Sequence, residues 1–271
     1  MIFISNSRAK MTKILFTSDL HLTFGCQERQ FEQLSARIAE NNPDVLAISG
    51  DVADCEVNIF GWLGRLGLPV VFCLGNHEFV YRTVKETLER FRRLKEEASG
   101  ICANDVHCLD TEGHFDALGC RFYGNVLWYD GTLYNGSNAS GLLDTIDARW
   151  LDSKIVDFKP VEENCKCIEQ IKHEQRNSRG KKRVLVTHCV PARKLNLFDS
   201  ETPLSVFNCY SGMENLFDWH KVYPDISLCG HTHKRVVCEF KCKNGREVRC
   251  WNSGNDYFPY TFNVQTDLIE I

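Results

Sequence analysis

Five short segments of this 271-residue sequence place Asp, His or Asn directly after an apolar run. They are Ser18-Asp19-Leu20-His21, Gly50-Asp51-Val52-Ala53-Asp54, Gly75-Asn76-His77-Glu78, Thr187-His188 and Gly230-His231-Thr232-His233. Carboxylates, imidazoles and a carboxamide oxygen are donors for divalent cations, and no thiol stands among them. Such a set suits Mn²⁺, Fe, Zn²⁺ or Co²⁺ and does not choose among these metals. Asp51 is the natural bridge between two ions, because a carboxylate has two oxygens. Asp19 and His21 alternate along an extended stretch, so both grip one ion only if the chain bends there. His231 and His233 share that spacing and could each serve a different ion, while Asn76 offers a neutral carbonyl oxygen. Two cations about 3.5–4 Å apart lower the pKa of a bridging water, and the resulting hydroxide can attack phosphorus in line. No serine or cysteine nucleophile motif accompanies the set, so hydrolysis needs no covalent protein intermediate.

These donors need a scaffold that brings them together. Residues 13–18, 45–49 and 70–74 are apolar runs of strand length, alternating with helical patterns at 27–40, 57–66 and 83–98. Strand–helix alternation predicts crossover units and a largely parallel sheet. Short strands are then expected at 106–109, 114–118 and 121–126, a Gly/Asn/Ser-rich surface loop at 130–141, and helices at 147–156 and 161–176. Buried strands return at 184–187 and 226–229, separated by a long loop at 191–210, a length that is often functional. Asn244-Gly245 signals a two-residue hairpin turn between strands at 236–240 and 248–251, and 261–269 closes the chain as a strand. In open α/β sheets ligands bind beyond the carboxyl ends of strands, so the five segments should converge on one edge. With no repeat or linker, residues 1–271 read as one α/β domain with two sheets, and residues 1–10, ahead of Met11, as a dispensable extension.

The order D-x-H, G-D-x-x-D, G-N-H-E, T-H and G-H-x-H resembles the calcineurin-like metallophosphoesterases from Asp19 to about Gly254, where Asn252-Ser253-Gly254 resembles the family's N-x-G turn. The resemblance implies two facing mixed β-sheets flanked by α-helices, with two divalent metals at the strand ends. It implies one metal site of Asp19, His21, Asp51 and His233, and another of Asp51, Asn76, His188 and His231. It also implies that His77 is a catalytic, non-ligand histidine that positions the scissile phosphate and protonates the leaving oxygen. Serine/threonine protein phosphatases share G-D-x-x-D and G-N-H-E, but the Arg-Gly they carry after the former is missing here, and they lack G-H-x-H. The chain therefore resembles the small phosphodiesterases and phosphohydrolases, with phosphodiesters or small nucleotide-type phosphate esters as expected substrates. Two alternatives stay open: a broad phosphomonoesterase or protein phosphatase, and a non-catalytic metal-binding scaffold. Against the scaffold stands the presence of every ligand type and of His77.

Bulk properties narrow the partners. A net charge of −4 gives no global indication of nucleic acid or of an anionic membrane. No apolar run approaches the roughly 20 residues of a membrane span, and residues 1–10 lack the pattern of a signal peptide. The cytoplasm is the expected compartment. The 14 cysteines contain no C-x-x-C and several lie in apolar strands, so reduced thiols packing as small hydrophobes are expected. Arg176, Arg179, Lys181, Lys182 and Arg183 read as a solvated helix end, with a polyanion contact as the competing reading. Trp128-Tyr129 reads as core, with a base-stacking face as its alternative. Asp54 and Glu78 are expected to cap or support the loops, and His107, His114, His173 and His220 to be non-catalytic. The oligomeric state is not legible.

Overall fold

The computed structural model describes residues 11–22, 27–53, 58–98, 105–134, 139–144, 146, 148–196, 203–255 and 264–271. The extension 1–10 and Asp54 lie outside the described residues, as do parts of the two long loops and positions 261–263. Strands β1 (Lys13–Thr17), β2 (Val45–Ser49) and β3 (Val70–Cys73) are buried almost end to end. Parallel strands covered on both faces require such unbroken apolar runs. Helices α1 (Gln27–Asn41) and α2 (Ile59–Gly64) connect them, and α3 (Val84–Ala98) leads to β4 (Val106–Cys108). The chain continues through α4 (Leu109–Glu112), β5 (His114–Ala117), β6 (Cys120–Asn125), α5 (Ala139–Asp144), α6 (Pro160–Arg176) and β7 (Lys182–Thr187). It ends with α7 (Leu216–His220), β8 (Ile226–Cys229), β9 (Val236–Lys241), β10 (Glu247–Asn252) and β11 (Asp267–Glu270).

The strands form two mixed sheets, ordered β11-β1-β2-β3-β4 and β5-β6-β7-β8-β10-β9. In the first, β1 to β4 are parallel and β11 returns antiparallel on β1, with Leu15 opposite Leu268. In the second, β6, β7, β8 and β10 are parallel, flanked by antiparallel partners β5 and β9. Alternation of side chains along a strand divides the core into layers. Ile14, Phe16, Val45, Ala47 and Val71 face Phe122, Val184, Val186, Ile226 and Leu228 between the sheets. Leu15, Leu46, Ile48 and Phe72 turn outward onto α1, α2 and α3, and Tyr123, Leu185 and Val248 turn outward onto α6 and α7. This is the expected pair of facing mixed sheets flanked by helices.

Four local expectations change. Residues 148–156 form turns around a 3-10 turn at Leu151–Lys154, not a helix. Their backbone is satisfied elsewhere, since Lys154 O accepts from Tyr81 N and Val156 N donates to Arg82 O. The end of the 130–141 loop opens α5, and the 191–210 loop carries 3-10 turns at Arg193–Leu195 and Pro203–Tyr210. The five-residue α7, capped by Asn215, had no sequence period to announce it. The hairpin at Asn244-Gly245 is a three-residue loop: Cys242 N bonds Arg246 O, and Gly245 adopts φ +83° in the left-handed region. Among the described residues, eight of eleven free cysteines are buried, as small apolar residues would be. No helix among them is long and apolar enough to cross a membrane.

The outer layer of the first sheet contains a cluster of three mutually packed rings, Phe60, Phe72 and Phe91. Phe72 on β3 is fully buried and packs its ring 5.7 Å from Phe60 and 6.4 Å from Phe91. Phe72→Ala is therefore expected to cost about 3–5 kcal/mol. The measurement is equilibrium urea unfolding, with a lower midpoint and an unchanged slope.

Candidate active site

All five predicted segments leave the carboxyl ends of parallel strands: β1, β2 and β3 in one sheet, β7 and β8 in the other. The backbone bends sharply on leaving. Asp19, His21, Asp51, His231 and His233 all adopt left-handed conformations, with φ of 52°, 44°, 48°, 69° and 51°. Asp and His tolerate this region better than most residues, yet each such position stores strain. The bend that Asp19 and His21 needed to face one point is thus present. Neighbouring loops hold it in place, through Asp19 N to Gly50 O at 3.1 Å and His21 N to Asp51 O at 2.9 Å. Gly50 turns at φ +75°, where a Cβ would lie 2.4 Å from His188 Nδ1. At Gly75 a Cβ would lie 2.0 Å from Asp51 Oδ1.

The imidazoles disclose which way their lone pairs point. His188 Nδ1 lies 2.9 Å from Ser49 O, His231 Nε2 lies 2.9 Å from Tyr210 O, and His233 Nδ1 lies 2.6 Å from Asn255 O. A carbonyl oxygen only accepts, so each of these nitrogens carries its proton outward. The opposite nitrogens then turn inward. His188 Nε2 is 3.3 Å from Asp51 Oδ2 and 2.9 Å from Asn76 Oδ1, and His231 Nδ1 is 3.1 Å from Asn76 Oδ1. His233 Nε2 faces Asp19 Oδ1 at 3.6 Å, and His21 Nε2 faces Asp51 Oδ2 at 3.8 Å. Inward lone pairs with outward N–H groups held by carbonyls are the arrangement of metal-ligating histidines. Three overlapping groups of donors lie within 4.8 Å of one another: Asp19, His21 and His233; His21, Asp51 and His77; Asp51, His188 and His231. Asp51 belongs to two of them, as a bridging carboxylate would. The donors present therefore fit a pair of divalent cations. His77 Nε2 lies 3.8 Å from Asp51 Oδ2, as far as His21 does, so distance alone does not separate a ligand from a neighbour.

Charge in the cluster is tightly coupled. Burial would raise the Asp51 carboxyl, but the imidazoles of His188, His77 and His21 outweigh it and hold Asp51 well below its usual range. Burial opposes protonation of His188, yet Asp51 beside it raises that imidazole to about 10. Burial, then His188, pushes His231 down to about 3. A cation entering the cluster takes over the place of the His188 proton, which is how ligand deprotonation and metal binding are linked.

Several buried carboxylates hold the loops. Glu78 accepts from Ala53 N and Gly75 N at 2.9 and 2.7 Å, the capping role expected of it, and burial followed by Asp51 raises it to about 7. Two others were not anticipated from sequence. Asp110 accepts from Leu74 N at 2.7 Å and Val126 N at 2.9 Å, joining the two sheets at their carboxyl ends, and burial raises it to about 7. Asp152, fully buried and raised by burial, accepts from Asn76 Nδ2, Tyr129 OH and Trp150 Nε1. Behind the last hairpin, Asn252 Nδ2 donates to Thr232 Oγ1 at 2.6 Å and Asn255 Nδ2 to Ser18 O at 2.5 Å, which ties the Gly230–His233 segment to the first strand loop.

Other expectations are settled by position. Trp128 and Tyr129 are 1% and 0% exposed, so neither offers a stacking face to a base. Aromatic side chains that sequence reading missed stand nearer. The half-buried Trp150 lies 6.0 Å from the His231 ring and stacks on Phe207 at 5.6 Å. No period or motif marks them. The basic cluster sits at the opposite, amino-terminal end of β7, where Lys181 pairs with Asp116 and Arg183 with Asp225. His107 and His114 pair with Glu112 and Glu174 and belong to none of the three donor groups.

Fold and site together define an α/β sandwich with a cation-binding centre at the carboxyl ends of its parallel strands. The sequence matches the calcineurin-like phosphoesterase family over residues 12–235, and the chain belongs to that family. It is a metal-dependent phosphoesterase, a hydrolase acting on phosphoric esters. Among solved structures it is similar to a phosphopantetheinyl hydrolase (PptH) from Mycobacterium tuberculosis, with 17% identity, TM-score 0.64, and 97% of this chain and 96% of that one covered. It is also similar to TT1561 of Thermus thermophilus, with 11% identity, TM-score 0.53, and 96% and 98% covered. No curated protein gives a significant sequence match.

The closeness of Gly75 to Asp51 makes a specific demand. Gly75→Ala should push the Asp51 carboxylate aside and weaken binding of at least one cation by about 10–100-fold. Calorimetric titration of chelator-stripped protein with Mn²⁺ reads this directly, and wild-type affinity in the variant would contradict it.

Proposed function

We propose that the protein hydrolyses phosphodiesters or small nucleotide-type phosphate esters at a two-cation centre. Asp19, His21, Asp51 and His233 hold one ion, and Asp51, Asn76, His188 and His231 hold the other. The observation that carries this reading is the set of three imidazoles whose far N–H groups are fixed on Ser49, Tyr210 and Asn255 carbonyls, leaving inward lone pairs beside Asp51 and Asp19. Bound there, the two cations supply Lewis acidity, a nucleophile drawn from water at neutral pH, and neutralisation of phosphoryl charge. The oxygen and nitrogen donors suit Mn²⁺ as well as Fe, Zn²⁺ or Co²⁺.

The chain's own contribution is placement. Asp51 spaces the ions, the loops exclude alternative geometries, and His77 is the catalytic group that positions the phosphate and protonates the leaving oxygen. His77 stands beside the proposed bridging carboxylate, with Nε2 3.8 Å from Asp51 Oδ2 and a side chain that is 13% exposed. The 130–141 and 191–210 segments are proposed to border the substrate. Their proximity to the site supports this: Cys209 Sγ donates to Ala139 O at 3.7 Å, and the adjacent Tyr210 O accepts from His231 Nε2 at 2.9 Å. A diester or nucleotide-type ester is favoured by the D-x-H and G-H-x-H pairing and by the half-buried Trp150 near His231, on which Phe207 stacks. We also read the described chain as one domain, supported by the return of β11 onto β1. Its many buried thiols support a reducing compartment such as the cytoplasm.

Substrate class is tested by comparing kcat/KM for bis-p-nitrophenyl phosphate and p-nitrophenyl phosphate, then for nucleotide diesters and phosphopeptides. Preference for the diester in both pairs is expected, and preference for the monoester and phosphopeptide would replace this reading with a monoesterase. His77→Ala should retain both ions by elemental analysis while kcat falls by roughly 10²–10⁴-fold. The fall should be smallest for nitrophenolate leaving groups, which need little protonation. Loss of an ion from this variant would make His77 a ligand instead.

A further inference from the structure

Asn76 poses a problem of orientation. Its amide has an oxygen on one side and an NH₂ group on the other, and only the oxygen can serve a cation. Two ring nitrogens face Asn76 Oδ1, His188 Nε2 at 2.9 Å and His231 Nδ1 at 3.1 Å. In the form that ligates a cation each is a lone pair, and a lone pair would accept from an NH₂ group turned toward it. The ligating imidazoles therefore do not by themselves hold the amide oxygen inward.

The opposite side of the amide meets Asp152. Asn76 Nδ2 donates to Asp152 Oδ1 at 2.7 Å, while Asp152 Oδ2 accepts from Tyr129 OH at 2.8 Å and from Trp150 Nε1 at 3.1 Å. Asp152 is 0% exposed and Tyr129 is 0% exposed, so water does not compete for these bonds. A carboxylate only accepts, and a hydrogen bond to an ionised acceptor is about twice as strong as a neutral one. We infer that Asp152 is a positioning residue of the metal centre: it anchors the Asn76 NH₂ group outward and so presents the amide oxygen to the cations. The same carboxylate fixes the indole of Trp150, whose ring lies 6.0 Å from that of His231. Metal ligand and aromatic wall thus hang from one buried group. Asp152 lies 76 residues from Asn76 in sequence and carries no motif.

This inference rests on the reading of Asn76 as a ligand, and the experiment separates the two. Asp152→Asn keeps the shape of the side chain but has one acceptor. Its oxygen should stay with the two donors Tyr129 and Trp150, which leaves an NH₂ group facing the Asn76 NH₂ group. Asn76 must then turn over. Chelator-stripped protein is titrated with Mn²⁺, with ions counted by elemental analysis and affinities read by calorimetry. The expected result is about 10–100-fold weaker binding of one of the two ions, the range for loss of a group supporting a ligand. The other ion should bind as before. The exchange variant Asn76→Asp with Asp152→Asn restores a donor against an acceptor and should recover the second ion. A residue that only stabilised the fold would lower the melting temperature without this selective loss and without this recovery. Two ions bound at wild-type affinity in Asp152→Asn, equal loss of both, or failure of the exchange to recover binding would each overturn the inference. Asn76→Ala serves as the control. If it keeps both ions, the ligand reading itself falls; if it loses one while Asp152→Asn loses none, only the role of Asp152 falls.

Discussion

Buried carboxylates and imidazole lone pairs repel one another unless positive charge lies between them. The site is built against that repulsion. Asp51 Oδ2 stands 3.3 Å from His188 Nε2, and His231 Nδ1 stands 3.1 Å from His188 Nε2, in a region with almost no access to water. In such surroundings unpaired charge is expensive. The raised His188 and depressed Asp51 are symptoms of it, since protons on the imidazoles around Asp51 are the compensation that the described side chains supply. Divalent cations would compensate far better, which is why a centre of this kind binds metal and why bound metal would contribute to the stability of the fold.

Holding the donors together also strains the backbone. Five of the proposed ligands have left-handed φ, a conformation that persists only where surrounding structure over-determines it. The parallel strand ends do this. Each ligand sits within a few residues of a strand buried on both faces, so its backbone inherits the rigidity of a close-packed core. Loops from β1 and β2 then pair with each other beyond the sheet, through Leu22 and Ala53. Chemistry is thereby carried on short segments with little freedom, even though few of them lie in a regular element.

Around the ligands lies a set of buried acceptors that hold the loops. Glu78 clamps the loops after β2 and β3. Asp110 joins Leu74 in one sheet to Val126 in the other. Asp152 holds Asn76. Each takes backbone or amide N–H groups that would otherwise be orphaned at the strand ends, where sheet pairing stops and helix bonding has not begun. Satisfying these donors and fixing the ligand geometry are the same act, so stability and site geometry are not separable in this part of the molecule.

The ligand types, their order, and the strands before them were legible in the sequence. Metal donors must be particular residue types, and a strand buried on both faces must be an unbroken apolar run; both are local facts. The resemblance carried the pairing of sheets for the same reason. Tertiary structure alone decided the rest. Trp128 and Tyr129 became core because a helix, α6, and the Phe79 and Phe158 rings cover them, whereas Trp150, without any local signal, came to rest beside His231. Residues 148–156 gave up helix because the Tyr81–Arg82 segment took their backbone bonds and because Asp152 was drawn to Asn76, Tyr129 and Trp150. A supporting carboxylate such as Asp152 is chosen by what lies opposite it after folding. Its partner Asn76 is tens of residues away, and no spacing rule along the chain can announce such a meeting.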